Sequence, residues 1–179
     1  MDAMTGVKRH QPLHLYLDDQ IYFLTAHTYS DQSLLSSGQL KQKLIDKIKK
    51  SFALFRFDLY AWVVLINHYH LLFKTKRGKD LPKCIGKIHG GFAYETNKAE
   101  GQVGRKFWQN YWDRCIRSEM DFWVHMNYIH RNPVKHHHAI RMEDYKFSSY
   151  QIWLKKNGTD RMFSVFQQYP IIDFSISND

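Results

Sequence analysis

Residues 57–75 read FDLYAWVVLINHYHLLFKT. Two runs rich in β-branched and aromatic residues, 57–66 and 68–75, meet at Ile66–Asn67, which predicts two strands joined as a hairpin. Successive side chains of a strand point to opposite faces, so His68 and His70 share one face and Tyr69 takes the other. Two imidazoles on neighbouring same-face positions can hold one divalent cation, and a third ligand from elsewhere would leave positions open for a phosphate. The pair also reads as two partly exposed histidines at a strand end, since His-x-His arises often by accident. The run around them, VVLINHYHLLF, is otherwise apolar, and polar rings in such a setting need a reason to be there.

Upstream, residues 20–28 (QIYFLTAHT) read as a strand. After Ser36, Ser37 and Gly38, the apolar residues Leu40, Leu44, Ile45, Ile48 and Phe52 recur at helical spacing among Lys41, Lys43, Lys47, Lys49 and Lys50, predicting an amphipathic helix with a basic outer surface. Downstream, residues 80–98 read as a helix with Leu81, Ile85, Ile88 and Phe92 as its apolar stripe, weakened at Gly90 and Gly91. Residues 105–117 (RKFWQNYWDRCIR) read as a strand region. Ser118-Glu119-Met120-Asp121 is a capping-box pattern that starts a helix, expected to end near Asn132 because Pro133 disfavours helical geometry in the residue before it. The first six elements form a βαββαβ pattern, an α+β ferredoxin-like antiparallel sheet, with a further C-terminal helix expected to lie on it. Residues 1–140 are expected to form this domain. Residues 141–179 are expected to be a tail packed back on it through Tyr145, Phe147, Tyr150 and Trp153.

The chain has 179 residues, enough for one domain or one domain with a tail, and enough to bury a core without disulfides. At 44% hydrophobic and 16% aromatic it is not a disordered chain. No apolar run is long enough to span a membrane. The segment MDAMTGVKRHQPLHLYLDD has no apolar core before a small-residue cleavage site, so a cytoplasmic protein is expected. Cys84 and Cys115 form no CxxC pair, which argues against a disulfide scaffold or a zinc ribbon. The 26 Lys and Arg against 17 Asp and Glu give +9, and a basic domain rich in aromatic rings suits nucleic acid.

The helix after Ser118 carries the second candidate. Positions 121, 124, 125, 128 and 132 lie along one face, and Phe122, Met126 and Ile129 along another that looks like the core stripe. Tyr128 and Asn132 are thus one turn apart. A phenol can attack a phosphodiester, but its free pKa near ~10 means it needs activation, which a metal-bound phosphate can supply. An amide oxygen at Asn132 could reach the same metal. Against this, tyrosines on amphipathic helices are usually packing residues, and an Asn before Pro often just ends a helix. His136-His137-His138 reads as a metal tract or, more simply, as an exposed basic loop. Candidate nucleic-acid contacts are Arg105, Lys106, Arg114, Arg117, Arg131 and Lys135, and Trp108, Tyr111 and Trp112 can stack on bases or fill the core. Two rival readings stay open. One is a non-catalytic nucleic-acid-binding module. The other is a metal-dependent nuclease using water, with Asp58 or Asp113 approaching the histidines in the fold.

Residues 60–73 (YAWVVLINHYHLLF), with Ile66 where proline is common, together with 105–135 ending in YIHRNPVK and the stretch YKFSSYQIW at 145–153, resemble the single-tyrosine HUH transposases, most of all their REP-associated branch. The resemblance covers roughly residues 20–153. It implies a single-stranded DNA endonuclease and strand transferase using Mg²⁺ or Mn²⁺, with His68, His70 and Asn132 as ligands and Tyr128 as nucleophile. It also implies a 5′-phosphotyrosyl intermediate beside a DNA hairpin, work at the bacterial nucleoid, and a homodimer that exchanges the tyrosine helix or a monomer. The longer tail leans toward the monomer.

Overall fold

The computed structural model describes residues 16–170 together with Ile172 and Phe174; most of the N-terminal segment quoted above lies outside them. The elements run β1 (Ile21–His27), α1 (Gly38–Phe55), β2 (Asp58–Val64), β3 (His68–Lys74), α2 (Leu81–Ala99), β4 (Trp112–Cys115), α3 (Glu119–Lys135), α4 (Tyr150–Asn157) and α5 (Thr159–Gln168). The four strands form one sheet in the order β2-β3-β1-β4. Strand β3 is antiparallel to both β1 and β2, and β4 is antiparallel to β1. This is the ferredoxin-like arrangement expected from the element order.

Alternation along the strands sends Tyr22, Leu24, Leu71 and Phe73 to one face, where α1 and α2 cover them. Phe52 of α1 lies 4.9 Å from Phe73, and the Tyr69 hydroxyl meets His89 Nε2 of α2 at 2.8 Å. Helix α1 starts where the Ser37 hydroxyl accepts the Leu40 N–H at 3.1 Å, a capping bond for one of the four N–H groups that a helix start leaves unpaired. It buries Leu44, Ile45, Ile48 and Phe52 of the predicted stripe and half-buries Leu40, whereas Lys41, read as part of the basic outer surface, is buried because Tyr145 and Phe147 pack over it. It ends at Arg56, whose backbone is left-handed (φ 56°). The opposite face of the sheet carries Phe23, Thr25, His68 and His70, and α3 lies on it.

The structure departs from the sequence reading in three places. Only Trp112–Cys115 of the segment 105–117 forms a strand. Residues before it cross the end of β1 instead, held by Tyr29 N–H to Phe107 O and Gln109 N–H to His27 O, because Phe107 and Trp108 both pack against Phe92 rather than alternating. Helix α3 runs through Pro133 to Lys135. Bonds from the His136 and His138 N–H groups back to Asn132 and Pro133 close the next turn, and buried Asn132 is held by His68, which together outweigh the proline's preference. Finally, α3 is buried on two sides: Met126 and Ile129 are inaccessible, and so are His125 and Asn132 on the face read as separate from the core.

Residues beyond 140 add further cover. Val64 N–H bonds Phe147 O and Ser149 N–H bonds Trp62 O, so this segment covers the edge of β2. The Asn127 amide of α3 donates to Val165 O and Tyr169 O at the end of α5.

Two stability changes follow. Arg56→Gly removes the left-handed penalty on a side chain and should stabilise the fold by up to ~1 kcal/mol. Phe92→Ala should cost ~3–5 kcal/mol through the cavity it leaves. Urea denaturation of both variants checks the opposite signs.

Candidate active site

The register of β3 sets the site. His70 lies opposite Thr25 of β1 and Val63 of β2, and His68 lies opposite His27 of β1. The Thr25 hydroxyl meets His70 Nδ1 at 2.8 Å. His68 Nδ1 meets Asn67 Oδ1 at 2.8 Å, and its Nε2 meets Asn132 Oδ1 at 3.2 Å. Tyr128, one turn before Asn132 on α3, sets its ring edge-on to His70 with centroids 5.2 Å apart. The two histidines, the asparagine and the tyrosine named from sequence therefore meet in one place, all from one chain.

Burial decides the protonation state. His68 is pushed down to about 3 by loss of solvent, reinforced by the neighbouring His27 and His136 rings. Burial, then His68, holds His70 well below its ordinary value. Both rings are neutral near pH 7, the form a metal ligand must take. His70 Nε2 is buried without a hydrogen-bond partner, a lone pair that a cation could take up. No three His, Cys, Asp or Glu side chains converge to hold a metal among the described residues. A third donor beside the two imidazoles would be the Asn132 amide oxygen. The set of two nitrogens and one oxygen fits a divalent cation with open positions.

Around this centre, the Lys135 ammonium stands 5.4 Å from the middle of the Tyr128 ring. Phe174 lies edge-on to Tyr128 at 5.2 Å and stacks on His125 at 4.2 Å. His125 Nδ1 meets the backbone oxygen of Asp121 at 2.7 Å and its carboxylate at 3.1 Å. The histidine tract divides: His136 is brought to 5.1 Å from His68, whereas exposed His137 turns away in a left-handed conformation (φ 56°). The carboxylates considered for a water-using nuclease lie elsewhere. Asp113 pairs with Leu24 on the opposite face, and Asp58 pairs with Lys74 at the far end of β3.

A family model described as "Transposase IS200 like" matches residues 20–132, the sheet and α3 as far as Asn132. The chain belongs to the IS200-like transposase family. It is similar to the REP-associated tyrosine transposase of Escherichia coli (strain K12), with 27% identity over 139 residues that cover 75% of this chain and 79% of that protein. The solved structure of a REP-associated tyrosine transposase bound to a REP hairpin superposes with a TM-score of 0.67 at 26% identity, covering 98% of both chains.

In this transposase the six basic residues singled out from sequence have unequal surroundings. Lys135 and Arg114 border the site, the latter 3.7 Å from Asp121. Arg105 is committed to Asn97 and Glu100 and braces the loop after α2. Lys106 lies over the Tyr29 ring at 4.4 Å. Arg117 sits beside the start of α3, and Arg131 is exposed on the side of α3 away from the sheet, next to His137 and His138. Sequence reading gave no role to Thr25, His27, Asp31, Asn67 or His125. Thr25 and His27 share parity on β1, but only the register across β3 makes them neighbours of the histidines.

His89 and His130 show the same burial away from His68 and His70, each pushed down to about 3. Unfolded imidazole titrates near ~6.5, so below that pH the unfolded chain takes up protons that the folded chain refuses. The stability these rings contribute is complete above pH ~6.5 and is lost as pH falls toward 3. Urea midpoints should drop between about pH 7 and pH 4, with the His89 and His130 ring signals in NMR spectra still neutral at about pH 5. A His130 ring that titrates near its free value would refute this account.

Proposed function

We propose that this transposase is a divalent-metal-dependent nuclease and strand transferase acting on single-stranded DNA next to a hairpin, through a 5′-phosphotyrosine on Tyr128. The observation that carries it is the convergence of Tyr128, His70, His68 and Asn132 on one face of the sheet, with ring centroids 5.2 and 5.0 Å apart along the row and a 3.2 Å contact from His68 to Asn132. His68, His70 and Asn132 would hold Mg²⁺ or Mn²⁺. Bound there, the cation would draw in the scissile phosphate and offset the negative charge that builds on it.

The chain's own groups supply the rest. The Tyr128 oxygen attacks phosphorus, the bond from phosphorus to the 3′ oxygen breaks, and the phenolic proton leaves to solvent while the freed 3′ oxygen takes one up. One phosphate ester replaces another, so the bond is conserved and can be rejoined without ATP. Thr25 and Asn67 orient the two imidazoles, and the Lys135 ammonium adds positive charge beside the nucleophile. Tyr128 lies beside the histidines of its own chain, which supports a monomer as the working form. The hairpin as substrate is supported by the relative solved with a REP hairpin and by the net charge of +9. Such a substrate places the work at the bacterial nucleoid. Among the described residues, no helix is long and apolar enough to cross a membrane.

Denaturing gels and intact mass, after incubation with Mn²⁺ or Mg²⁺ and hairpin-bearing single strands, should reveal a protein–DNA adduct. Tyr128→Phe should eliminate the adduct and lower cleavage by ~10³-fold or more. His68→Ala or a chelator should abolish both. Cleavage that survives Tyr128→Phe without an adduct would instead favour water as the nucleophile.

A further inference from the structure

Between β1 and α1 the chain makes a turn at Thr28–Asp31 in which two consecutive non-glycine residues, Ser30 (φ 52°) and Asp31 (φ 54°), are left-handed. L-residues rarely hold this conformation, and its persistence calls for surroundings that enforce it. Three contacts do so. Thr28 N–H donates to Asn67 O at 2.8 Å, and the single hydroxyl proton of Thr28 lies between Gln32 O at 2.5 Å and Asn67 O at 3.0 Å. The Asp31 carboxylate meets His27 Nδ1 at 2.6 Å. The Asp31 backbone oxygen accepts the Asn67 Nδ2 at 3.2 Å.

The last bond has a consequence for His68. A backbone carbonyl can only accept, so the Asn67 amide must present its NH₂ to Asp31. Its Oδ1 is then the atom 2.8 Å from His68 Nδ1, and an amide oxygen also only accepts. His68 Nδ1 must therefore carry the proton, and in a neutral imidazole this leaves Nε2 as a lone pair. That nitrogen lies 3.2 Å from Asn132 Oδ1, and two acceptors cannot bond. In the metal-free protein the Asn132 amide, whose Nδ2 has no other partner, therefore turns to donate to Nε2, whereas a bound cation would sit between the two lone pairs. His27, clamped by Asp31, stacks on His68 with centroids 5.0 Å apart and planes 16° from parallel, which limits the ring's tilt.

We infer that Asp31 and Asn67 form a positioning relay, in which the strained turn fixes the Asn67 amide and the amide fixes His68 in the Nδ1-protonated tautomer with Nε2 aimed into the site. The relay's purpose rests on the reading of His68 as a metal ligand, but the tautomer itself can be observed with no metal present. Partners of this kind change metal affinity by roughly 10–100-fold when removed.

The test uses the full chain. Two-dimensional ¹⁵N–¹H NMR of the metal-free protein assigns the His68 tautomer, and calorimetric titration with Mn²⁺ gives affinity, for wild type, Asn67→Ala, Asn67→Asp and His68→Ala. Wild type should show the Nδ1–H form. Asn67→Ala should give a mixture of tautomers and bind Mn²⁺ about 10–100-fold more weakly. Asn67→Asp retains an acceptor toward Nδ1 and should keep the wild-type tautomer. An Nε2–H tautomer in wild type overturns the relay, and this arm decides the matter even where Asn67→Ala does not fold. So does Asn67→Ala with unchanged tautomer and affinity. If His68→Ala binds Mn²⁺ as tightly as wild type, the metal-ligand reading fails while the tautomer result still stands or falls by itself.

Discussion

The front of the sheet is governed by one constraint: two uncharged imidazoles are buried on the same face of a central strand. β3 has a strand on each side, so His68 and His70 reach no water along the sheet, and each ring carries two polar nitrogens that cost free energy if left unpaired. The residues that meet them are set by register and by the helix above. Thr25 comes from β1, Asn67 from the hairpin and Asn132 from α3. Over the histidines helix α3 therefore presents polar groups where an ordinary covering helix presents leucine. Beside them Met126 and Ile129, in line with Phe122 on Tyr60 of β2, are fully buried. On a further side Asn127 and His130 bond to Val165, Tyr169 and Ser149.

The same constraint explains what could be read in advance. The period-2 pattern around His68 and His70, and the stripe Leu44, Ile45, Ile48 and Phe52, are local signals, and the strands and helices they imply are present. The order of elements then led to the sheet topology. Tyr128 and Asn132 were legible as a pair because helical spacing is also local. The side they face was not, since a helix buried on two sides has no single apolar stripe to read. Pro133 was misread for a related reason: the rule that ends a helix before proline is a propensity, and the buried contact at Asn132 is stronger. Residues 105–111 have strand composition, yet Phe107 and Trp108 gain more by packing on Phe92 than by alternating. His27, Asp31 and Asn67 act through bonds that cross 36 residues or more, or through left-handed backbone at Ser30 and Asp31, and neither leaves a mark in composition.

Charge is distributed to match this division of the fold. Helices α1 and α2 carry eight lysines against Asp46 and Glu95, and both lie on the face of the sheet opposite the histidines. Glu95 is itself occupied by Lys43 at 3.2 Å and Lys47 at 2.6 Å. A sheet and its side-chain layer put about 10 Å between these lysines and the buried rings, comparable with the Debye length of ~8 Å at physiological salt. At that range the lysines do little to the imidazoles, whose neutrality comes from burial. Their field outside the protein still adds up, and it draws polyanions from solution in a salt-dependent way. The basic surface over α1 and α2 and the buried imidazoles therefore rest on separate layers. Altering a lysine on α1 or α2 would change the outer field, whereas altering Asn67 or Thr25 would change the pairing of the rings.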